Sequence, residues 1–453
     1  QRGLAAAESV FELIDQEGER DPGVTSLSRA EGEIRFENVI FSYANADRRA
    51  LDDITLAIAP SQTVALVGAS GGGKTTLAKA LAKYNLPANR GFTDFRKMLD
   101  TVKEIEACTV STADHAHFPA AMHAISLGKH VCVQKPLVNS LWQANEIHKA
   151  AKKKRVVTNM GNQGHTGEGV RLLKEWVKQG AIGQVREIHV WTNRPIWPQG
   201  SAATYPKGKP TPETVDWESW QAGASASPYI DGVHPFAWRG HRIYGAGAMG
   251  DMGCHLLDGP FWAMDLGAPS KITAEVVYDL GPESYPKGAI VSCHFPKAGV
   301  VLRWHEGRGP DDKALKPAQP AEYDQQKPWA EISGGFIMRG DKGIILDTSD
   351  YCQKPSLLPA GKHSDFMATN PAKTLKRSTH PGNPQAEWTH AIKNGLVCGS
   401  NFDYAVPLTE LCLLGNLAMI AGGTIEWDAR KRHVTGRPDL DKYIKRPVFG
   451  SYN

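Results

Sequence analysis

Residues 110–137 read VSTADHAHFPAAMHAISLGKHVCVQKPL, and their pattern decides the fold of most of the chain. An apolar run, ACTVST, ends at Thr112, a helical pattern occupies HFPAAMHAISLGKH, and a second apolar run, VCVQKPL, follows. Strand, helix and strand at this spacing predict a parallel α/β sheet with crossover helices. The neighbouring segments extend the alternation. FRKMLDTVKEI (95–105) reads as a short helix, LWQANEIHKAAKKKR (141–155) as another, and VVTNMG (156–161) as a further strand. The basic run Lys152–Arg155 ends a helix and caps it.

Further on the style changes. VREIHVWTNR (185–194), KITAEVVYDL (271–280), AIVSCHFP (289–296), VVLRWHEG (300–307) and GGFIMRGDKGIILDTS (334–349) are strands without long helices between them. They predict a mostly antiparallel sheet. The tail YAVPLTELCLLGNLAMIAGG (404–423) is helical and packs back on the body. Towards the N-terminus, LAAAESVFELIDQ (4–16) has helical periodicity, and EIRFENVIFSY (33–43) and ALDDITLAI (50–58) read as strands. The run TVALVG (63–68) then enters a glycine-rich loop and a helix beginning near Lys74.

Composition sets bounds. The 453 residues allow two or three domains, and a net charge of +4 argues for neither nucleic acid nor an anionic membrane as partner. Seven dispersed cysteines with no CxxC pair argue against a disulfide framework and a zinc site, so no metal is expected; buried free thiols are. No apolar stretch reaches the roughly 18 residues of a membrane span, and LCLLGNLAMIAGG from Leu411 reads as a core helix. The chain starts with Gln rather than Met and carries no signal peptide, which leaves targeting open, with the cytoplasm as default.

Gly68-Ala-Ser-Gly-Gly-Gly-Lys74-Thr75 fits G-x-x-x-x-G-K-[ST]. Gly68, Gly71 and Gly73 let backbone N–H groups converge on phosphate oxygens, Lys74 neutralises phosphate charge, and Thr75, followed by Thr76, holds Mg²⁺. With GEIRFENVIFSY and ALDDITLAI upstream, residues 1 to about 80 resemble the start of an ABC exporter nucleotide-binding domain. The resemblance implies adenine stacking on Tyr43. It then stops. The glutamine loop, LSGGQ signature, catalytic aspartate–glutamate pair and switch histidine are missing, and Ser333-Gly334-Gly335 with GIILD reads as a coincidental strand–turn–strand. ATP and Mg²⁺ binding without hydrolysis is the most this segment implies.

The stretch from Val110 to Leu137 resembles the Gfo/Idh/MocA family of NAD(P)-dependent oxidoreductases, with Gln134-Lys135-Pro136 where that family usually has Glu-Lys-Pro. NMGNQGHTGEG (from Asn159), DWESWQAGASASPY (from Asp216), WRGHRIYGAGAMGDMGCHLLDGPFWAMDLG (from Trp238) and PLTELCLLGNLAMIAGG carry the likeness across about residues 86–453. The resemblance implies NAD or NADP as cofactor, a sugar-like substrate and homo-oligomers through the C-terminal sheet. It implies His255 as acid/base, with Asp251 orienting it or binding a substrate hydroxyl. Asp251 and His255 are four apart, hence on one face of a helix. Lys135 would meet the nicotinamide ribose and the reacting oxygen, where a cation stabilises a developing alkoxide. Ser111, Thr112 and His117, just past a strand end, line the cofactor cleft, with helix capping the alternative for them and for Asp114. Gln134 and Gln163 are further cofactor contacts, His165 lies beside Gln163, and Trp197, His234 and Trp238 are candidates for sugar stacking or for packing.

The family's strand, G-x-G-x-x-G turn and acidic second strand are absent. The run TVALVG with its phosphate loop is itself a strand, loop and helix, and is expected in the first βα position, with an internal strand of the sheet lost. The fold class is thus α/β: an incomplete Rossmann-like parallel sheet, an α+β domain with a large, mostly antiparallel sheet, and a β-rich ABC-ATPase fragment in front. The domain boundaries are 1–82, 83–183 and 184–453. The expected function is hydride transfer between NAD(P) and a hydroxyl or keto carbon, impaired by the lost glycine turn. The alternative is a chimeric or misassembled chain whose N-terminal part binds ATP without hydrolysing it.

Overall fold

The computed structural model describes the backbone of Ile34–Phe41, Leu51–Ile58 and Ala65–Gly68, and residues 91–449 apart from Thr204 and Thr214. The helix expected at 4–16 and the phosphate-loop residues beyond Gly68 lie outside the described residues. Two compact units divide at Gln62/Thr63. In the first, strand β1 (Ile34–Phe41) pairs antiparallel with β2 (Leu51–Ile58), Ile34 opposite Ile58 and Phe41 opposite Leu51.

The second unit opens with β3 (Ala65–Gly68) and continues through helix α1 (Phe95–Thr101), β4 (Ala107–Ser111), α2 (Asp114–Ser126), β5 (His130–Val133), α3 (Leu141–Lys154), β6 (Thr158–Met160) and α4 (Glu168–Lys178). Strands β3-β4-β5-β6 form one parallel sheet in that order. The run ALVG thus takes the first βα position, and it pairs directly with β4. The expected gap inside the sheet is corrected by this: the described sheet is continuous, and β3 is its edge strand. Continuity matters because an interrupted ladder would bury unpaired amides. Helix α3 follows from its sequence. Ser140 caps it by accepting from the Gln143 N–H (3.3 Å), Leu141, Ala144, Ile147 and Ala151 form its buried stripe, and Lys152–Lys154 fill its last turn.

Beyond α4 come β7 (Val185–Thr192), α5 (Gly247–Leu256), α6 (Asp258–Ala263), β8 (Lys271–Leu280), β9 (Pro286–Phe295), β10 (Val300–Gly307), β11 (Gly334–Gly340), β12 (Gly343–Asp347), β13 (Ser356–Leu358), α7 (Pro384–Asn394), α8 (Phe402–Ala421), β14 (Thr424–Asp428) and β15 (His433–Val434). Nine strands form one sheet, in the order β13-β12-β11-β7-β10-β9-β8-β14-β15. Among them only β7 and β10 run parallel. One face, with Ile188, Val190, Leu302, Trp304, Val291 and Phe336, packs into the same core as Met249 and Met252 of α5 and Leu411 and Leu414 of α8. The other buries Trp191, Ile337 and Leu346 against Trp329 and Ile332. β11 and β12 form a hairpin, so Ser333-Gly334-Gly335 and GIILD are the strand–turn–strand expected of them.

The tail helix is longer than its apolar stretch suggests. Asn401 caps it by accepting from the Asp403 N–H (2.8 Å), Pro407 sits inside, and the helix runs for 20 residues. By length and composition it would cross a membrane, yet most of its residues are buried within the protein, as in a core helix. All seven cysteines are free and buried.

Candidate active site

The carboxyl end of β5 and helix α5 bring the candidate residues Lys135 and Asp251 together. Lys135 leaves β5 just beyond Val133, and helix α5 presents Asp251 towards it. Lys135 Nζ donates to Asp251 Oδ1 at 2.8 Å and to the Asp251 carbonyl at 2.6 Å. Both side chains are mostly buried, 18% and 17% exposed. Arg239 Nε lies 3.8 Å from Asp251 Oδ1 and Arg194 Nε 3.9 Å from Oδ2. Burial presses the Asp251 carboxyl towards neutrality, but Lys135 and then Arg239 prevail and hold it below the usual carboxylate range.

His255 is buried one turn further along α5, its ring edge-on to Tyr351 with centroids 4.9 Å apart. Burial first, then the Lys135 charge, drives its imidazole down to about 3, with Asp251 partly opposing. It is therefore neutral at ordinary pH. Its Nδ1 has no hydrogen-bond partner among the described residues. A buried polar atom without a partner costs about 1–3 kcal/mol.

The expected cofactor residues fall along the same edge. Gly68, the last described residue of β3, pairs with Ser111 of β4. Thr112 Oγ1 donates to the Ala113 carbonyl at 3.2 Å. Gln134 packs on Gly161: a Cβ there would lie 2.7 Å from the Gln134 amide, which would have to shift to admit it. His117 is buried, Nδ1 facing the Pro136 carbonyl at 2.8 Å and Nε2 the Thr112 carbonyl at 3.1 Å. A neutral imidazole carries a single N–H, so the ring donates to one of these two carbonyls at a time, between the loops after β4 and β5. Burial presses this imidazole down to about 4. Gln163 is exposed and opens the turn Gln163–Thr166, while His165 points inward, Nδ1 2.8 Å from Asp258 Oδ1. Tyr404 donates to the same oxygen at 2.5 Å. Trp197 and Trp238 are buried, their indole N–H groups donating to Gln199 and to the Pro235 carbonyl. Tyr43, Gly71, Gly73, Lys74, Thr75 and Thr76 lie outside the described residues.

Sequence reading missed three participants. Arg194 and Arg239 reach Asp251 from the end of β7 and from the turn Ala237–Gly240, with no motif to announce them. Asp114 heads α2, is 6% exposed, and accepts from the Ala246 N–H at 3.1 Å. Burial raises its carboxyl to about 7, against the pull of Lys135 and Arg239.

The residues present fit a dinucleotide laid across this edge. The converging strand ends are where open α/β sheets bind ligands. The Lys135–Asp251 pair and His255 lie together on the α5 side of this edge.

Comparison with known proteins agrees with the two parts of the chain. The model of the oxidoreductase family GFO_IDH_MocA, with an NAD-binding Rossmann fold, matches residues 48–162, and so begins ahead of the phosphate loop. The ATP-dependent lipid A-core flippase of Dechloromonas aromatica (strain RCB) is 52% identical over 84 residues. That is 18% of this chain and 14% of the flippase, so the chain spans only a small part of the curated relatives it matches. Among solved structures, the aldose–aldose oxidoreductase from Caulobacter crescentus complexed with glycerol shares the fold at a TM-score of 0.51 and 16% identity, over 81% of this chain and 91% of that one. The WlbA dehydrogenase from Bordetella pertussis in complex with NADH and UDP-GlcNAcA does so at 0.51 and 14%, over 80% and 90%. Residues 48–162 therefore match the NAD-binding Rossmann domain of the Gfo/Idh/MocA oxidoreductase family, the larger unit has the fold of these solved oxidoreductases, and an 84-residue stretch is similar to ABC-type flippases.

Proposed function

We propose that the chain is an NAD(P)-dependent oxidoreductase that moves a hydride to or from a hydroxyl or keto carbon of a sugar or polyol-like substrate. The observation that carries this is the Lys135–Asp251 pair, 2.8 Å apart, one helix turn from the neutral, unpartnered His255. A nicotinamide, when bound, supplies the hydride acceptor or donor. Ser111, Thr112, Gln134 and Lys135 would hold it, with Gln163 at the mouth. In the oxidative direction His255 Nδ1 takes the hydroxyl proton as the carbon–hydrogen bond breaks. Lys135 stabilises the alkoxide that develops, and Asp251, through its carboxylate and carbonyl, fixes the Lys135 ammonium in place. The sugar and polyol ligands of the two neighbours support the substrate class.

The loop ahead of Ser111 is of phosphate-loop type and the acidic second strand is absent, so binding weaker than that of an intact dinucleotide fold is expected. Titration of the full chain with NADH and NADPH, followed by fluorescence, tests the reading. Saturable binding, with turnover on a panel of aldoses and polyols, is expected. No binding and no rise in melting temperature at millimolar cofactor would sink it.

A second reading has its own support in the 52% identity to the flippase. In it the N-terminal segment holds Mg·ATP without hydrolysing it. Binding of labelled ATP with no phosphate release is the expected result.

A further inference from the structure

Helix α5 carries Asp251 and His255, so whatever fixes its first turn fixes the proposed reacting groups. Ala246, the residue that caps it, contributes no capping side chain, and Gly247 follows with φ +63, a conformation that favours glycine. A side chain at Gly247 would also meet the Tyr285 ring at 2.9 Å. The turn is held from outside. Asp114 Oδ2, from the head of α2, accepts from the Ala246 N–H at 3.1 Å. Asn416 Nδ2, from α8, donates to the Ala246 carbonyl at 2.7 Å, and that carbonyl also accepts the helix bond from the Gly250 N–H at 2.9 Å. Asp114 is 6% and Asn416 3% exposed, so water does not compete easily for either bond.

We propose that Asp114 and Asn416 are positioning residues: together they clamp the two backbone groups of Ala246 and so set the register in which Asp251 meets Lys135. In a capping box, a side chain of the helix's own third residue returns to the cap N–H. Here that third residue is Met249, α5 has no acid in its first turn, and the bond comes instead from the nucleotide-binding sheet. Asp114 also lies in the first turn of its own helix, so one carboxyl stands near two helix N-termini, both of which favour negative charge there, though among the described residues its bond is to Ala246 alone. Lys135 and Arg239 add to that preference, while burial and the nearby Asp251 oppose it. The clamp joins the cofactor side, through α2, to the substrate side, through α5, at a single residue.

The inference rests on the oxidoreductase reading for its catalytic consequence, but its test does not. Amide hydrogen exchange over residues 244–256 is measured in the full chain. Asp114→Ala and Asn416→Ala should each speed exchange at Ala246 and the first turn of α5 about tenfold, because one buried bond is lost. Asp114→Asn keeps an acceptor without the charge and should stay within about threefold of the parent. Equal exchange in Asp114→Ala and the parent overturns the clamp, as does Asp114→Asn exchanging as fast as Asp114→Ala. If Asp114→Ala does not fold, Asp114→Asn and Asn416→Ala decide: a tenfold rise in the first, or none in the second, overturns it. NADH titration of the parent judges the oxidoreductase reading separately. Where turnover is present, Asp114→Ala should lower kcat at unchanged NADH affinity, with Asp114→Asn restoring it.

Discussion

Lys135 Nζ binds Asp251 twice, through the carboxylate and through the main-chain carbonyl of the same residue. A cation held at two points loses its freedom to swing away, and in the proposed reaction its third N–H would meet the substrate oxygen. Lys135→Met keeps the apolar stem and leaves Asp251 without its nearest counter-ion. Removing one member of a buried pair costs about 3–5 kcal/mol, and partial exposure together with Arg239 and Arg194 reduces that here to about 2. A fall in melting temperature of about 4 °C is expected, with loss of turnover. Calorimetry and an NADH-coupled assay check the two effects.

His255 tests the proton-transfer step. His255→Asn should lower kcat by about 10²- to 10⁴-fold, the range for a lost general base, while the NADH dissociation constant stays within about threefold. The imidazole is pressed to about 3 by burial and by Lys135. The acid limb of oxidation attributable to it should therefore lie well below that of an ordinary histidine. A kcat–pH profile measured between about pH 4 and 9 decides, since an ordinary imidazole would titrate inside that window.

Stability should respond to pH from two sides. His115, His117 and His241 are lowered to about 4, and His255 and His305 to about 3, each chiefly by burial. Such groups are neutral in the folded chain while the unfolded chain takes up protons below about 6.5, so stability falls as pH drops through that window. Asp114, raised to about 7, and Glu306, raised to about 8, act oppositely. Their contribution is complete below the unfolded carboxylate range and is lost as pH rises through about 7 to 8. Melting temperature should peak near about pH 6.5 and fall more steeply on the acid side, where the imidazoles outnumber the carboxyls.

Gly250 leaves room for the Ala246 side chain at the start of α5. A Cβ there would lie 2.2 Å from the Ala246 Cβ and 3.7 Å from Pro136. Gly250→Ala should cost about 1–3 kcal/mol, as overpacking does, and move Asp251 off Lys135. Chemical denaturation measures the first effect and NADH-dependent turnover the second.

The order of elements is largely legible in the sequence because its helices and strands keep clean periods. β4, α2, β5 and α3 lie where ACTVST, the helical run to His130, VCVQKPL and LWQANEIHKAAKKKR place them. Lys135, Asp251 and His255 emerge through family resemblance, and the 3.6-residue turn explains why the last two share a face. Arg194 and Arg239 are not legible, since each is isolated in sequence and reaches Asp251 only through tertiary folding. Asp114 reads as a helix cap. It does head a helix, but its carboxyl serves a different one, 132 residues on. His117 reads as lining the cofactor cleft or as a helix cap, and in the structure its ring nitrogens face two backbone carbonyls.

The edge strand Ala65–Gly68 bears on how such a chain can hold together at all. A parallel sheet recruits its members through main-chain geometry and oily side chains, and neither records ancestry. Four residues ending at the threshold of a transporter-type loop are therefore admitted beside Ala107–Ser111 as readily as a native strand would be. Descent and architecture part company at this seam: kinship is written in the loops, and the ladder between them is interchangeable.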